Sequence, residues 1–367
     1  MSEQLKLTCL HDKHVALGAL MSPFGGFDMP IQYADIVTEH NAVRNHCGVF
    51  DVSHMGEVRV TGADAERFVN HIFTNDIADA PEGKIFYGMM LYPNGGTVDD
   101  LLVYKMGHND FFLVINAANI QKDVDWINGQ ATGYNVVIDH QSDRYGQLAL
   151  QGPEAEARLV NTLGLQCADL AFYTFSIVNV NGEDVIVSRT GYTGEDGFEI
   201  YAGHDTIRAM WDSLIASGVQ PCGLGCRDTL RFEVGLPLYG DELSQDISPI
   251  MAGLGLFVKL DKEEFIGKEA VARQKAEGVA RKLVGLELAD KAIPRHGYEV
   301  VAADDDSHVV GIVTTGYHGI SVDKSIAMAL VDSQYAALDT PLRVHIRKKF
   351  FPATVVKKKF FKKSYKK

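Results

Sequence analysis

The chain has 367 residues, 46% hydrophobic and 23% charged, which implies two or three globular domains rather than one core. No apolar run approaches the roughly 18 residues needed to cross a bilayer, and Met1-Ser2-Glu3-Gln4-Leu5-Lys6 is neither a basic-then-apolar leader nor an Arg-rich transit pattern, so a cytoplasmic protein is expected. The net charge is −13, yet from Arg343 onward there are eleven basic residues and no acidic one, so an acidic body ends in a basic tail; the acidic body argues against nucleic acid as a partner.

Two strand-to-helix junctions resemble each other, Gly62-Ala63-Asp64-Ala65-Glu66 and Gly152-Pro153-Glu154-Ala155-Glu156. Each places acids in a first helical turn, where the helix dipole favours them, and the pair suggests a repeated α/β unit. Between them, Pro93-Asn94-Gly95-Gly96-Thr97-Val98-Asp99-Asp100-Leu101-Leu102-Val103-Tyr104 runs a turn straight into a strand that starts with two carboxylates. Asp is depleted in strands, and alternation sends these two to opposite faces. A carboxylate sharing a face with Leu102 and Tyr104, or with Leu101 and Val103, is either satisfied by turn amides or used in chemistry.

Further on, Ile177-Val178-Asn179-Val180, Asn181-Gly182 and Val185-Ile186-Val187 read as a hairpin with a favoured turn dipeptide. The loop Ser188-Arg189-Thr190-Gly191-Tyr192-Thr193-Gly194-Glu195-Asp196-Gly197-Phe198-Glu199 lacks the Gly-Lys-Ser/Thr of a phosphate loop. Presenting Tyr192, Glu195, Asp196 and Glu199, it suits a flat ligand that donates hydrogen bonds; an acidic surface turn is the plain alternative. Ile207, Met210, Trp211, Leu214 and Ile215 mark one buried helical face. Pro221-Cys222-Gly223-Leu224-Gly225-Cys226-Arg227-Asp228-Thr229-Leu230-Arg231 breaks the chain before a helix on which Arg227 and Arg231 stand one turn apart, as a ligand site or as a salt-bridged surface. The C-x3-C spacing there has no nearby His or Cys to complete a metal site, and five cysteines, mostly far apart, fit packed thiols. Gly253-Leu254-Gly255 is too short for a dinucleotide fingerprint. Phe265-Ile266-Gly267-Lys268-Glu269 reads as a helical connector into a strand-rich segment from about Lys282 onward, where Tyr298–Val301 and His308–Val313 form a second hairpin. The terminal Lys357–Lys367 stretch is either a solvated, frayed end or a device that steers an anionic partner.

Taken together and in this order, these motifs resemble the aminomethyltransferase family of the glycine cleavage system. Phe27-Asp28-Met29-Pro30, Phe50-Asp51-Val52-Ser53-His54-Met55-Gly56-Glu57, Gly83-Lys84 with Tyr87, and Leu238-Tyr239-Gly240 extend the match almost end to end. Two departures stand out: Gly26-Phe27-Asp28-Met29-Pro30 lacks the family's Trp, and Thr314-Thr315-Gly316-Tyr317 replaces its Thr-Ser-Gly turn. The resemblance implies an α+β chain of three domains in a ring around a central folate cavity. Residues 1–50 with 145–245 would form one α+β domain and residues 51–144 a ferredoxin-like one. Residues 246–280 would form a helical connector, and residues 281–367 an all-β domain of barrel or jelly-roll type.

The reaction it implies moves the methylene of the aminomethyl group on the lipoylated H-protein to N5 of tetrahydrofolate, with release of ammonia. Carried over residue by residue, the family's catalytic aspartate matches Asp100, its pterin-binding glutamate Glu199 and its arginine Arg227. Tyr87, Asn116 and Tyr192 fall where folate-lining residues are expected, and Tyr365 matches an aromatic substrate contact. No metal or redox cofactor is implied. The partners would be the H-protein and a polyglutamylated tetrahydrofolate, either of which the basic tail could steer. A non-catalytic folate-binding assembly factor of iron–sulfur metabolism is the alternative, but its Lys-Gly-Cys motif is missing at Phe265-Ile266-Gly267-Lys268-Glu269. A folate-using demethylase would need a flavin domain for which the chain has no room.

Overall fold

The two glycine junctions turn a strand into a helix in the same way. Gly62 and Gly152 sit at φ of 122° and 130°, and their carbonyls accept from Ala65 N at 2.9 Å and Ala155 N at 3.0 Å. A Cβ on either would lie 2.5 Å from a backbone oxygen, that of Asn135 or of His46, so the chain passes too close for any other residue. The helices Ala65–Ile72 and Ala155–Asn161 follow. Each leads into three antiparallel strands: Ile85–Leu91, Thr97–Gly107 and Asp110–Ile115 after the first, then Phe175–Val180, Glu183–Ser188 and Gly197–Ala202 after the second. The repeated unit suggested by the junctions is present.

The computed structural model describes residues 4–363. Its first sheet has five strands in the order Ile85–Leu91, Thr97–Gly107, Asp110–Ile115, Gly56–Thr61, Val137–His140. The second has six, in the order Phe175–Val180, Glu183–Ser188, Gly197–Ala202, Gly146–Gln151, Gly48–Asp51, Gln220–Pro221. One face of each is covered by helices, through Phe68, Val69 and Ile72 on the first and through Ile207, Met210, Trp211 and Leu214 on the second. The opposite faces pack on each other, Ile85, Tyr104, Phe112 and Val114 against Phe175, Ile186 and Tyr201. Backbone bonds join the two edges, Ile85 N to Tyr173 O and Phe175 N to Gly83 O, both at 3.0 Å. In the hairpin after Val180, Asn181 and Gly182 both take positive φ, as their dipeptide predicts.

From Arg281 the chain is all β. Arg281–Leu288, Lys324–Asp332, Val309–Gly319, Glu299–Ala302, Pro341–Ile346 and Lys349–Val356 close, in that order, into a barrel. The barrel is sealed to the rest by Met89 and Leu91 of the first sheet, Phe232, Phe265, Ile326 and Met328. A buried polar joint reinforces the seam. Arg231, with no exposed surface, donates to Glu242 Oε2 at 2.7 Å, while Glu242 Oε1 accepts from Thr314 at 2.7 Å and Thr315 at 2.6 Å.

After the last barrel strand the chain turns back onto the body rather than fraying. Phe360 packs on Phe232 with ring centroids 5.4 Å apart. The Phe361 ring lies 4.4 Å from the Arg44 guanidinium carbon, and its N–H donates to Glu233 O at 2.7 Å. The two sheet units, the connector around residues 253–257 and this returning segment line a cavity of about 560 Å³. Among the described residues, no helix is long and apolar enough to cross a membrane.

Candidate functional site

Alternation along Thr97–Gly107 decides what its two carboxylates do. Leu101 and Val103 face the helix-covered core with Asp99, whereas Leu102 and Tyr104 face the other sheet with Asp100. Asp99 is wholly buried, and its oxygens accept from Asn116 N at 3.0 Å, Asn116 Nδ2 at 2.9 Å and Asn119 Nδ2 at 2.7 Å. Asp100 opens into the cavity. Its Oδ2 accepts from Tyr87 OH at 2.9 Å and its Oδ1 from Asn116 Nδ2 at 3.1 Å. Burial, reinforced by the charge of Asp99, pushes the Asp100 carboxyl up to about 7, against the pull of those two donors. Behind Asp99, burial and the same charge push the Asp123 carboxyl up to about 11, against the pull of Lys122 at 3.4 Å.

Glu199 faces the cavity from the neighbouring sheet, on Gly197–Ala202. Thr190 Oγ1 donates to its Oε2 at 2.5 Å, and Gln147 Nε2 donates to its Oε1 at 3.3 Å. Burial raises the Glu199 carboxyl, while Thr190 and the charge of Arg227 hold it down. The loop carrying Thr190 is pinned by the buried Gln151, whose amide donates to Thr190 O at 3.0 Å and accepts from Thr193 Oγ1 at 2.8 Å. Arg227 stands in the first turn of the helix Leu224–Glu233, its guanidinium carbon 4.4 Å from the Tyr192 ring centre. Among the described residues it makes no salt bridge, and burial lowers its basicity. Tyr192 is fixed in turn by its hydroxyl, which donates to Pro237 O. Tyr87 meets Phe257 edge-on, with centroids 4.8 Å apart.

Thus Asp100, Glu199, Arg227, Tyr87, Asn116 and Tyr192 all line one cavity, although they come from separate stretches of chain. Two family models cover the sequence: the GCVT N-terminal domain matches residues 10–262, and the glycine cleavage T-protein C-terminal barrel domain matches residues 281–362. An aminomethyltransferase of Alkaliphilus oremlandii is 49% identical over 99% of this chain and the whole of that protein. One of Lysinibacillus sphaericus is 47% identical over the same shares of the two chains. The crystal structure of glycine cleavage system aminomethyltransferase T from Bartonella henselae superposes with a TM-score of 0.94 at 32% identity, covering 99% of this chain and 100% of that one. The chain belongs to the glycine cleavage T-protein family.

The T-protein framework explains which of the expected ligand-facing groups are instead structural. Glu195 is held by Arg44 at 3.0 Å, and Asp196 by Arg189 at 2.6 Å, both buried. Neither lines the cavity, so of the four residues picked out in that loop only Tyr192 and Glu199 do. Arg231 is a buried joint, not a surface ion pair. The C-x3-C pair does acquire a third neighbour, the carboxylate of Glu39, drawn in from a distant helix. Its oxygens accept from Tyr33 N, Ala34 N and Gly223 N at 2.6, 3.1 and 2.8 Å, and both thiols pack with Val43, Phe50 and Leu230. Tyr365 lies outside the described residues.

Other wall residues escape a reading of the sequence. Thr190 lies inside the quoted loop but carries no charge to attract notice. Gln147 sits in a fully buried strand, Gly146–Gln151, where a polar residue next to the apolar run Leu148, Ala149 and Leu150 is the available signal. In the sequence the basic tail reads as a steering device or a frayed end, not as cavity wall: Lys358, Lys359 and Lys363 border the cavity because residues 357–363 fold back onto the body. Burial pushes the ammonium groups of Lys358 and Lys363 down to about 8.

Proposed function

We propose that the cavity binds tetrahydrofolate with its pterin edge on Glu199 and its reacting nitrogens beside Asp100. The chain is an aminomethyltransferase of the glycine cleavage system, and these residues supply its chemistry. Each oxygen of Glu199 already accepts one protein hydrogen bond and keeps acceptor capacity for another. That leaves two acceptors side by side, which fit the adjacent N–H donors of a 2-amino-4-oxo pyrimidine ring. Arg227 and Tyr192 form a flat cationic wall suited to the ring face.

The observation that carries the reading is Asp100, held by Tyr87 and Asn116 in an apolar wall with its proton near balance at neutral pH. As positive charge develops on nitrogen during methylene transfer and ammonia leaves, such a carboxylate can oppose the charge or take the proton without rearranging. Tyr87 and Asn116 fix its plane, and Phe257 fixes Tyr87. The aminomethyl donor, a lipoyl arm of the H-protein, would reach the same nitrogens from the cavity mouth, where Leu256 is 76% exposed. Lys358, Lys359 and Lys363 stand where the glutamates of a polyglutamylated folate would leave the cavity. The same reading puts the enzyme in the cytoplasm.

The test is methylenetetrahydrofolate formation from tetrahydrofolate and aminomethylated H-protein, with Asp100→Asn as the comparison. Turnover should fall by about 10²-fold or more while folate still binds. Folate binding without turnover in the unmodified protein would favour the assembly-factor alternative, and failure to bind folate would sink the reading.

A further inference from the structure

Gln147 is 2% exposed and lies in the cavity wall, yet half of its amide is unused. Nε2 donates to Glu199 Oε1 at 3.3 Å, an orientation set by chemistry because a carboxylate only accepts. That leaves Oε1 pointing elsewhere, and among the described residues it accepts no hydrogen bond. A buried amide oxygen without a donor is uncommon in a folded protein. The strand pairing explains why it is there. Ala149 lies opposite Glu199 and Gln147 opposite Tyr201 across antiparallel neighbours, so Gln147, Glu199 and Tyr201 share the face that looks onto the cavity and the other sheet. Tyr201 is already committed, its hydroxyl 3.0 Å from that of Tyr104. The Gln147 backbone is equally fixed, since its carbonyl accepts from Val52 N at 3.0 Å and its N–H donates to Ser53 Oγ at 2.9 Å.

We infer that Gln147 is a second reader of the ring that Glu199 recognises, its Oε1 accepting the exocyclic amino hydrogen that Glu199 cannot reach. The inference rests on the folate reading above. A 2-amino-4-oxo pyrimidine offers three hydrogens along one edge, one on the ring nitrogen and two on the amino group. Glu199 takes the ring hydrogen and the nearer amino hydrogen, leaving the outer amino hydrogen without a partner. An acceptor bonded to Glu199 through its own Nε2 is displaced sideways along that edge, where this hydrogen points. The ligand would thereby satisfy the idle Oε1 of Gln147, and a ring lacking the amino group would leave it idle. Gln147 is a specificity residue in this scheme: it touches no reacting atom, so it acts on binding rather than on turnover at saturation.

The experiment compares dissociation constants for tetrahydrofolate and for its analogue with the 2-amino group replaced by methyl, in the unmodified protein and in Gln147→Leu and Gln147→Glu. Gln147→Leu should weaken tetrahydrofolate about tenfold, ~1.4 kcal/mol, and weaken the methyl analogue, which shares only the lost support of Glu199, far less. Gln147→Glu keeps an acceptor but loses the donor to Glu199, and it should retain a preference for the amino ligand that Gln147→Leu has lost. An equal loss on both ligands in Gln147→Leu, or no loss on either, would overturn the inference while leaving the folate reading intact. Absence of tetrahydrofolate binding by the unmodified protein would overturn both.

Discussion

Asp99 and Asp100 point to opposite faces of one strand, yet the side-chain amide of Asn116 bonds to both, at 2.9 Å and 3.1 Å. The cavity carboxylate therefore cannot be considered apart from the buried one. Asp99 does not line the cavity; its charge is the second-largest cause, after burial, of the high position of Asp100. Asp99→Asn should remove that charge at little change in volume. If the ionised form of Asp100 is the active one, kcat rises with pH through the Asp100 titration. The acid limb, expected near pH 7 in the unmodified enzyme, should then move to lower pH in Asp99→Asn. A pH–rate profile at saturating folate checks this, and an unmoved limb would show that Asp100 does not govern it.

The same carboxyl should cost stability. Its position in the folded protein, about 7, lies above the ordinary 3.8. Between those values the folded state holds a proton that the unfolded state has released, so stability falls as pH rises through that window. Asp100→Asn removes the titration. The variant should therefore be more stable than the unmodified protein at pH 8, and the margin should shrink towards pH 4. Urea unfolding at both pH values reads the difference, and equal margins at the two would refute it. A variant that gains stability while losing turnover is the expected signature of a group strained for function.

Glu199 and Thr190 separate recognition from support. Glu199→Gln loses the charge and reverses one acceptor, so two charge-assisted bonds to the ligand weaken together. Losses of about 1.5–3 kcal/mol per bond to a charged group predict folate binding down by roughly 10²-fold or more. Thr190→Val removes the bond that holds Oε2 in place, along with the 2.8 Å bond between Thr190 Oγ1 and Ser188 Oγ, and leaves the Glu199 charge intact. Binding should then fall by about tenfold or less, the worth of about 1 kcal/mol. Calorimetric titration with tetrahydrofolate gives both, and a Thr190→Val loss as large as that of Glu199→Gln would place the ligand on Thr190 instead.

How much of this is readable in the sequence depends on distance along the chain. The opposed faces of Asp99 and Asp100 are legible because alternation forces consecutive residues apart, and the hairpin at Asn181-Gly182 because its turn residues carry their own backbone preference. The paired glycine junctions are legible too, since a close backbone approach excludes every other residue there. Glu195 and Asp196 mislead because a carboxylate looks the same whether it meets a ligand or an arginine, and their partners Arg44 and Arg189 are set by tertiary packing. Gln147 bonds Glu199 from 52 residues away, and only the strand pairing brings them together. The fold class and the motif residues come through the family resemblance more than through periodicity.

Arg231 and Glu242 form the joint between the helix Leu224–Glu233 and the barrel, and neither side chain has exposed surface. Arg231→Met leaves Glu242 buried without its cation, a change that costs about 3–5 kcal/mol in comparable buried pairs. Combining Arg231→Met with Glu242→Gln removes the stranded charge, and Thr314 and Thr315 still offer hydroxyl donors to the amide oxygen introduced by the second change. The double variant should recover a large part of the lost stability. Chemical denaturation of the three proteins tests it, and a double variant no more stable than Arg231→Met would show that packing rather than charge sets the cost.

The basic tail needs a charge test rather than a truncation. Cutting the chain at Lys357 would remove Phe360 and Phe361 from Phe232 and Arg44, and the Lys358 ammonium from Ala252 O, so lost activity would report lost packing. Lys359 borders the cavity and is exposed, and it suits a reversal that leaves the fold alone. Lys359→Glu should raise KM for a polyglutamylated tetrahydrofolate several-fold at low salt, with the unfolding midpoint unchanged. Screening shortens the reach of an exposed charge to about 3 Å at 1 M salt, so the two proteins should converge as salt rises. The monoglutamate should show a smaller difference, because fewer carboxylates pass the rim. A KM that responds equally to both folates, or not at all, would remove Lys359 from the path of the glutamate chain.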